Sequence, residues 1–139
     1  MPETILIVDD HDTVRQALSR WLESVFHNCH ILTASTGEEA LAIARETPLH
    51  VVVLDFGLPG MNGAQTARRI KAISPAAQVV ILTIHNSSAY RVDAAKAGAS
   101  AYLLKEDMQT QLVPTLEALL AGDGSLPREV DAQLLQKEG

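Results

Sequence analysis

The sequence contains a single cysteine, Cys29, so it cannot close a disulfide within itself. A reducing, intracellular setting follows, and a cytoplasmic location is the expectation. Aromatic residues make up only 4% of the 139 residues. A core must therefore be assembled from Val, Ile, Leu and Ala, and a hydrophobic content of 47% supplies enough of them for one globular domain. No apolar run approaches the roughly 20 residues of a membrane-crossing helix. The opening Met1-Pro2-Glu3-Thr4 has neither the basic stretch nor the apolar stretch of a secretory signal. Positive charge is scarce as well. The 11 Lys and Arg stand against 17 Asp and Glu, for a net charge of -6. Nucleic-acid binding rests largely on neutralising phosphates with Lys and Arg, so this chain alone is not expected to bind nucleic acid. Low-complexity tracts and internal repeats are also missing.

What is present is an alternation. Five short apolar runs, Ile5–Val8, Ile31–Ala34, Val51–Leu54, Val79–Ile84 and Ala101–Leu104, are rich in β-branched residues and too short for helices, so they read as strands. Their near-continuous apolarity suits a parallel sheet covered on both faces. Helical patterns fall between them. Val14, Leu18, Leu22 and Val25 form one stripe, with Asp12 or Thr13 as its cap. Thr36-Gly37-Glu38-Glu39 reads as a capping box before Ala40, Leu41 and Ala44. Asn62 is placed to cap a helix that stops near Ser74-Pro75, and Asn86, Ser87 or Ser88 to start one that ends at Gly98. The last helix carries Leu116, Leu119 and Leu120. Pro114 requires it either to start late or to kink. The result is a (βα)5 chain, an α/β parallel sheet with right-handed crossovers, whose binding site lies beyond the carboxyl ends of its strands. From Gly122-Asp123-Gly124-Ser125 onward the composition reads as the end of the domain, giving a domain over 1–122 and a linker or short C-terminal extension over 123–139.

Chemistry gathers at those strand ends. The first strand delivers Asp9-Asp10 and the third delivers Asp55; the fourth ends near Thr83, and Lys105 follows the fifth. Adjacent strands lie roughly 4.8 Å apart. If the first and third strands are neighbours, three carboxylates share one pocket, and like charges that close cannot all stay ionised unaided. Either one is protonated or a cation sits among them. Oxygen ligands from several loops suit Mg2+, which takes one or two direct carboxylates and keeps several waters.

The stretches "ILIVDDH", "VLDFGLPGMNG", "ILT" and "AGASAYLLKED" together resemble the receiver domain of bacterial two-component response regulators, from residue 4 to about residue 122. "VDDH", "LPGMNG" and "AGASAYLLK" resemble most the NarL/FixJ (LuxR-type) subfamily. The resemblance implies a flavodoxin-like fold of strand order 2-1-3-4-5. It implies that Asp55 is the phosphoacceptor, Asp10 a direct Mg2+ ligand, Asp9 a water-mediated or supporting one, and the Gly57 carbonyl a further ligand. Thr83 would be the switch hydroxyl, Lys105 the partner of a phosphoryl oxygen, and Tyr102 the switch aromatic that turns inward as Thr83 moves. It implies a phosphoacceptor that assists its own phosphorylation and dephosphorylation rather than an enzyme. The implied partners are a sensor histidine kinase and a phosphorylation-dependent homodimer. The output would be transcription through a DNA-binding domain outside this chain, or protein–protein contact by a stand-alone receiver. The permissive backbone of Gly57, Pro59 and Gly60 would then let the chain bend around metal and phosphoryl group.

Two departures from the family pattern stand out. Many receivers have Lys-Pro with a cis peptide after the fifth strand, whereas here Lys105 precedes Glu106, and a non-proline cis bond costs about 3–4 kcal/mol. Gly57 stands where a bulkier residue is common and would leave the pocket more open. A phosphatase with an Asp nucleophile is the alternative of another class. Haloacid-dehalogenase-type enzymes need a second Asp two residues after the nucleophile, where this chain has Gly57. Taken singly, each residue has a plainer reading: Asp9-Asp10 a turn, Thr83 a β-branched filler, Tyr102 core packing, Arg68-Arg69 a solvated helix face. His11 reads as an exposed helix start, His85 as a modulator of the pocket or a loop residue. His27, Cys29 and His30 read as a turn into the second strand.

Overall fold

A computed structural model describes residues 2–121. Its strands are β1 (Glu3–Val8), β2 (Cys29–Ala34), β3 (Val51–Asp55), β4 (Gln78–Thr83) and β5 (Ala101–Leu104). The helices between them are α1 (Asp12–Val25), α2 (Gly37–Glu46), α3 (Gly63–Ile73), α4 (Ser88–Lys96) and α5 (Met108–Ala121). All strand pairings are parallel, in the order β2-β1-β3-β4-β5. The expected extension over 123–139 lies outside the described residues.

Alternation along each strand separates two cores. Leu6, Val8, Val52, Leu54, Val79, Ile81, Tyr102 and Leu104 pack with α2, α3 and α4 through Ala40, Leu41, Ala67, Ile70 and Ala94. Ile5, Ile7, Val51, Val53, Val80, Leu82 and Leu103 pack with α1 and α5 through Leu18, Leu22, Leu112 and Leu116. With both faces covered, β1, β3, β4 and β5 are almost wholly buried, which is why their sequences are apolar runs rather than alternating ones, while β2 at the edge leaves His30 and Thr33 exposed.

The helix starts follow local chemistry, with some corrections. Asn62 caps α3 in a complete capping box with Gln65. Ser87 caps α4 through Tyr90 N–H, and that helix stops just before Gly98, as expected. Thr36 Oγ1 accepts from Glu39 N–H, but the Glu39 carboxylate reaches back to Ser35 N–H instead of to the cap residue. Neither Asp12 nor Thr13 caps α1. The cap position is His11, which gives no side-chain cap bond. Asp12 is instead held by Arg15 at 2.6 Å. Pro114 lies inside α5 and not in its first turn, because the helix starts at Met108 directly after a 3-10 turn over Lys105–Asp107. Ile84 falls beyond β4 and is 75% exposed, so the strand ends one residue earlier than its apolar run.

Register places the strand ends side by side. Val8 pairs with Leu54, and Leu54 with Ile81. Asp9 and Asp55 therefore emerge at one level on adjacent strands, Thr83 follows one residue farther along β4, and β5 delivers Lys105 beside them.

Candidate functional site

Asp55 is the last residue of β3 and is buried. One carboxylate oxygen, Oδ1, accepts the Gly57 N–H at 2.9 Å, and the other, Oδ2, accepts Lys105 Nζ at 3.1 Å. Aim comes from the strand, and the first residues of the following loop fix the carboxylate's rotation. Asp9 is also buried, and its Oδ1 accepts His11 N–H at 2.8 Å. Asp10 is less enclosed. Its Oδ1 atom is nevertheless buried without a hydrogen-bond partner, the one such side-chain atom among the described residues. Donor atoms of Asp9, Asp10, His11 and Asp55 all lie within 4.8 Å of one another.

This arrangement fits a small divalent cation. Three carboxylates face one cation, Lys105, and an orphaned buried oxygen is costly unless something electropositive meets it. Asp10 Oδ1 points to where that charge belongs.

Thr83 ends β4, buried, and its Oγ1 accepts His85 N–H at 3.0 Å. Tyr102, from β5, is 1% exposed and donates its hydroxyl to the His85 carbonyl at 2.6 Å. Burial pushes the Tyr102 phenol above its ordinary pKa, while the Thr83 hydroxyl and the Arg91 guanidinium pull the other way. Arg91 of α4 is itself buried. It lies 4.7 Å from the centre of the Tyr102 ring and bonds the Asn86 side chain. The loop from β4 to α4 is thus pinned at His85 from both sides, by Thr83 at its N–H and by Tyr102 at its carbonyl. Beyond it, the His85 ring stacks on Tyr90 with centroids 4.4 Å apart, and Tyr90 meets Phe56 edge-on.

The family match follows from this geometry. The response regulator receiver domain matches residues 5–117. The chain belongs to that family. Among curated proteins, the receiver is 34% identical over 133 residues to the transcriptional regulatory protein LnrK of Bacillus subtilis. It is 31% identical over 133 residues to the response regulator GacA of Pseudomonas protegens. Each alignment takes in 96% of this chain but 60% and 62% of those proteins, so the chain spans about three fifths of their length. A solved two-component response regulator of the LuxR family, from Aurantimonas sp., superposes with a TM-score of 0.81 at 33% identity, covering 97% of this chain and 99% of that one. The relatives are LuxR- and NarL-type regulators, as the motifs suggested. The flavodoxin-like fold of strand order 2-1-3-4-5 is the observed one. No described helix is long and apolar enough to cross a membrane.

Asp9, Asp10, Asp55 and Lys105 come together in one pocket, with Thr83 one residue beyond the level of Asp55 on β4. One residue stands differently from expectation. Tyr102 is already inward, so no inward turn is left for it to make. Gly57 does not adopt a left-handed backbone; Gly60 does, at φ 70°. The Lys105–Glu106 peptide is trans, since no described peptide bond is cis. The sequence makes His11 an exposed helix start. It is that, yet its Nδ1 lies 3.4 Å from both Asp9 Oδ1 and Asp10 Oδ1. Arg91 went unremarked in the sequence, and its place on α4 next to an inward aromatic gives no local signal. Cys29 lies away from the site at the start of β2, after a two-residue turn, and burial, with Glu3 adding to it, raises its thiol pKa, which makes it a poor nucleophile.

Proposed function

We propose that this receiver takes a phosphoryl group onto Asp55 from the phosphohistidine of a sensor histidine kinase, and that the modified state drives an output by protein–protein contact. The observation that carries the proposal is the setting of Asp55: Lys105 on one oxygen, a backbone N–H on the other, and the Asp9 and Asp10 donors within 4.8 Å. A carboxylate oxygen attacks phosphorus in line. The P–O bond to Asp55 forms as the P–N bond to the imidazole breaks, and the departing nitrogen takes up a proton. Negative charge spreads over three equatorial oxygens in the transition state, and the residues around it position and neutralise. Lys105 is already within reach of the carboxylate and follows the charge onto the phosphoryl group. Asp10, Asp55 and the Gly57 carbonyl are the proposed direct ligands of Mg2+, with Asp9 holding it through water. When bound, that ion supplies countercharge to the phosphoryl oxygens. With Mg2+ and acetyl phosphate, the chain should gain one phosphoryl group labile to acid and base, read by intact mass. A chain that gains none from that donor overturns the reading.

Asp10→Ala tests the metal ligands. A direct ligand matters more than one acting through water or a neighbour, whose loss costs about 10–100-fold in affinity. Mg2+ titration should therefore show a larger loss for Asp10→Ala than for Asp9→Asn. Equal affinity in wild type and Asp10→Ala removes Asp10 from the role.

Transmission follows from the double pinning of His85. A phosphoryl group adds charge and acceptor oxygens that draw the Thr83 hydroxyl. Moving Thr83 withdraws the acceptor from His85 N–H and frees the loop that carries exposed Ile84 toward α4. Thr83→Ala should still accept a phosphoryl group but lose the change in amide exchange over 84–96. An equal change in variant and wild type means the coupling runs elsewhere. Phosphorylation need favour the active conformer by only about 1–3 kcal/mol. The outputs it could bias are a homodimer, through α1 and α5 or through α4, β5 and α5, and transcription by a DNA-binding domain outside this chain.

A further inference from the structure

We propose that His11 is a ligand of the metal pocket, and that its imidazole gives the site a binding mode for nitrogen-accepting divalent transition ions such as Zn2+, beside the Mg2+ mode on which this inference rests. Nδ1 lies 3.4 Å from Asp9 Oδ1 and 3.4 Å from Asp10 Oδ1. Donors on a tetrahedral ion at about 2.1 Å are about 3.4 Å apart, so the spacing is that of neighbouring ligands on one centre. It is too long for a direct N–H···O bond. Asp10 Oδ1 accordingly has no hydrogen-bond partner although His11 is close by. The two atoms are spaced as two ligands of one cation would be.

The main chain of His11 is fixed where it must be. Its N–H is held by Asp9 Oδ1 at 2.8 Å, and its carbonyl accepts Arg15 N–H at 2.9 Å as the first bond of α1. Arg15 further ties the Asp9 carbonyl at 2.9 Å. The ring is 66% exposed, so it sits at the mouth of the pocket, where it can close over an ion that has entered. Mg2+ prefers oxygen donors and retains its waters, and it gains little from an imidazole. Zn2+ gains much, because imidazole is among its preferred ligands and it accepts four-coordination. His11 therefore sets which ions the pocket discriminates.

The test is isothermal titration of the full chain with Mg2+ and, separately, Zn2+, in wild type, His11→Gln and Asp10→Ala. The ratio of Zn2+ to Mg2+ affinity should fall about tenfold or more in His11→Gln, the low end of what losing ligand support costs. Nitrogen NMR of the histidine rings tells this pocket from Zn2+ held elsewhere. The His11 ring signals should move with the first equivalent of Zn2+, before those of His27 and His30 at the far end of the sheet. An unchanged Zn2+-to-Mg2+ ratio in His11→Gln, or a His11 ring that does not respond to stoichiometric Zn2+, overturns the proposal and leaves an ordinary ion pair with the carboxylates. Mg2+ that fails to bind wild type, or binds Asp10→Ala equally well, instead overturns the metal pocket itself, and the role of His11 with it.

Discussion

Asp55→Asn is expected to take up no phosphoryl group from acetyl phosphate and Mg2+ under conditions where the wild type gains one. An amide oxygen is a poor nucleophile, and the amide cannot carry the charge that Lys105 and the metal would balance. The loss should be complete within the detection of intact-mass measurement, because Asp9 and Asp10 are not placed to substitute. Asp9 Oδ1 is occupied by His11 N–H, and Lys105 pairs with Asp55. Loss of chemistry is separable from loss of fold. The substitution is nearly isosteric, keeps an acceptor for Gly57 N–H, and removes one of three carboxylates whose atoms lie within 4.8 Å. Relief of that repulsion should leave the variant at least as heat-stable as wild type when no divalent cation is present. A variant that is still phosphorylated places the acceptor elsewhere. A variant that melts well below wild type shows that Asp55 stabilises the apo pocket through Lys105 more than its like-charged neighbours destabilise it.

The residues of that pocket were legible because their signal is local and repeated: an apolar strand, then a polar group, at Asp9-Asp10, Asp55, Thr83 and Lys105. A buried parallel strand cannot hide what it exposes at its end. The strands themselves were legible for the same reason, and the misplaced end at Ile84 shows the limit of the rule, since an apolar residue can follow the last ladder bond and remain in solvent. What was not legible depends on contacts between segments remote in sequence. Nothing near Arg91 says that its guanidinium will lie against Tyr102. Nothing in "VDDH" says that the imidazole will swing back over the carboxylates rather than out along α1. The inward Tyr102 is held by the His85 carbonyl and Arg91, neither of which is its neighbour in sequence. Pro114 was legible as an anomaly but not as to its position in the helix. The 3-10 turn over Lys105–Asp107 decides where α5 begins, and no residue in it announces a helix stop or start.

The glycines after Asp55 separate backbone freedom from close approach, and they carry a second large effect. Gly60 takes a left-handed φ of 70°, so it serves the turn. Gly63 has an ordinary helical backbone at the start of α3, where alanine would normally be welcome. Yet a Cβ there would lie 2.6 Å from Phe56 Cα and 2.9 Å from Phe56 O, against backbone that cannot swing aside as a flexible side chain would. Gly63→Ala should therefore destabilise the receiver by about 1–3 kcal/mol, the usual cost of overpacking. The strain falls on the residue adjoining the acceptor. Phe56 N–H is bonded to the Leu82 carbonyl at 3.0 Å, so displacing Phe56 loosens the link between β3 and β4 exactly where Asp55 and Thr83 emerge. Phosphorylation of the folded variant should slow as well, because aim at the strand end is what the pocket supplies. Gly57→Ala is the control. A Cβ at 57 would meet only Asp55 Oδ1, at 3.6 Å, an ordinary contact, and the backbone there is not left-handed. Denaturant unfolding of the two variants should place Gly63→Ala well below wild type and Gly57→Ala near it. The reverse order would mean that the loop yields at Phe56 and that conformation at 57, not packing at 63, is what holds Asp55 in place.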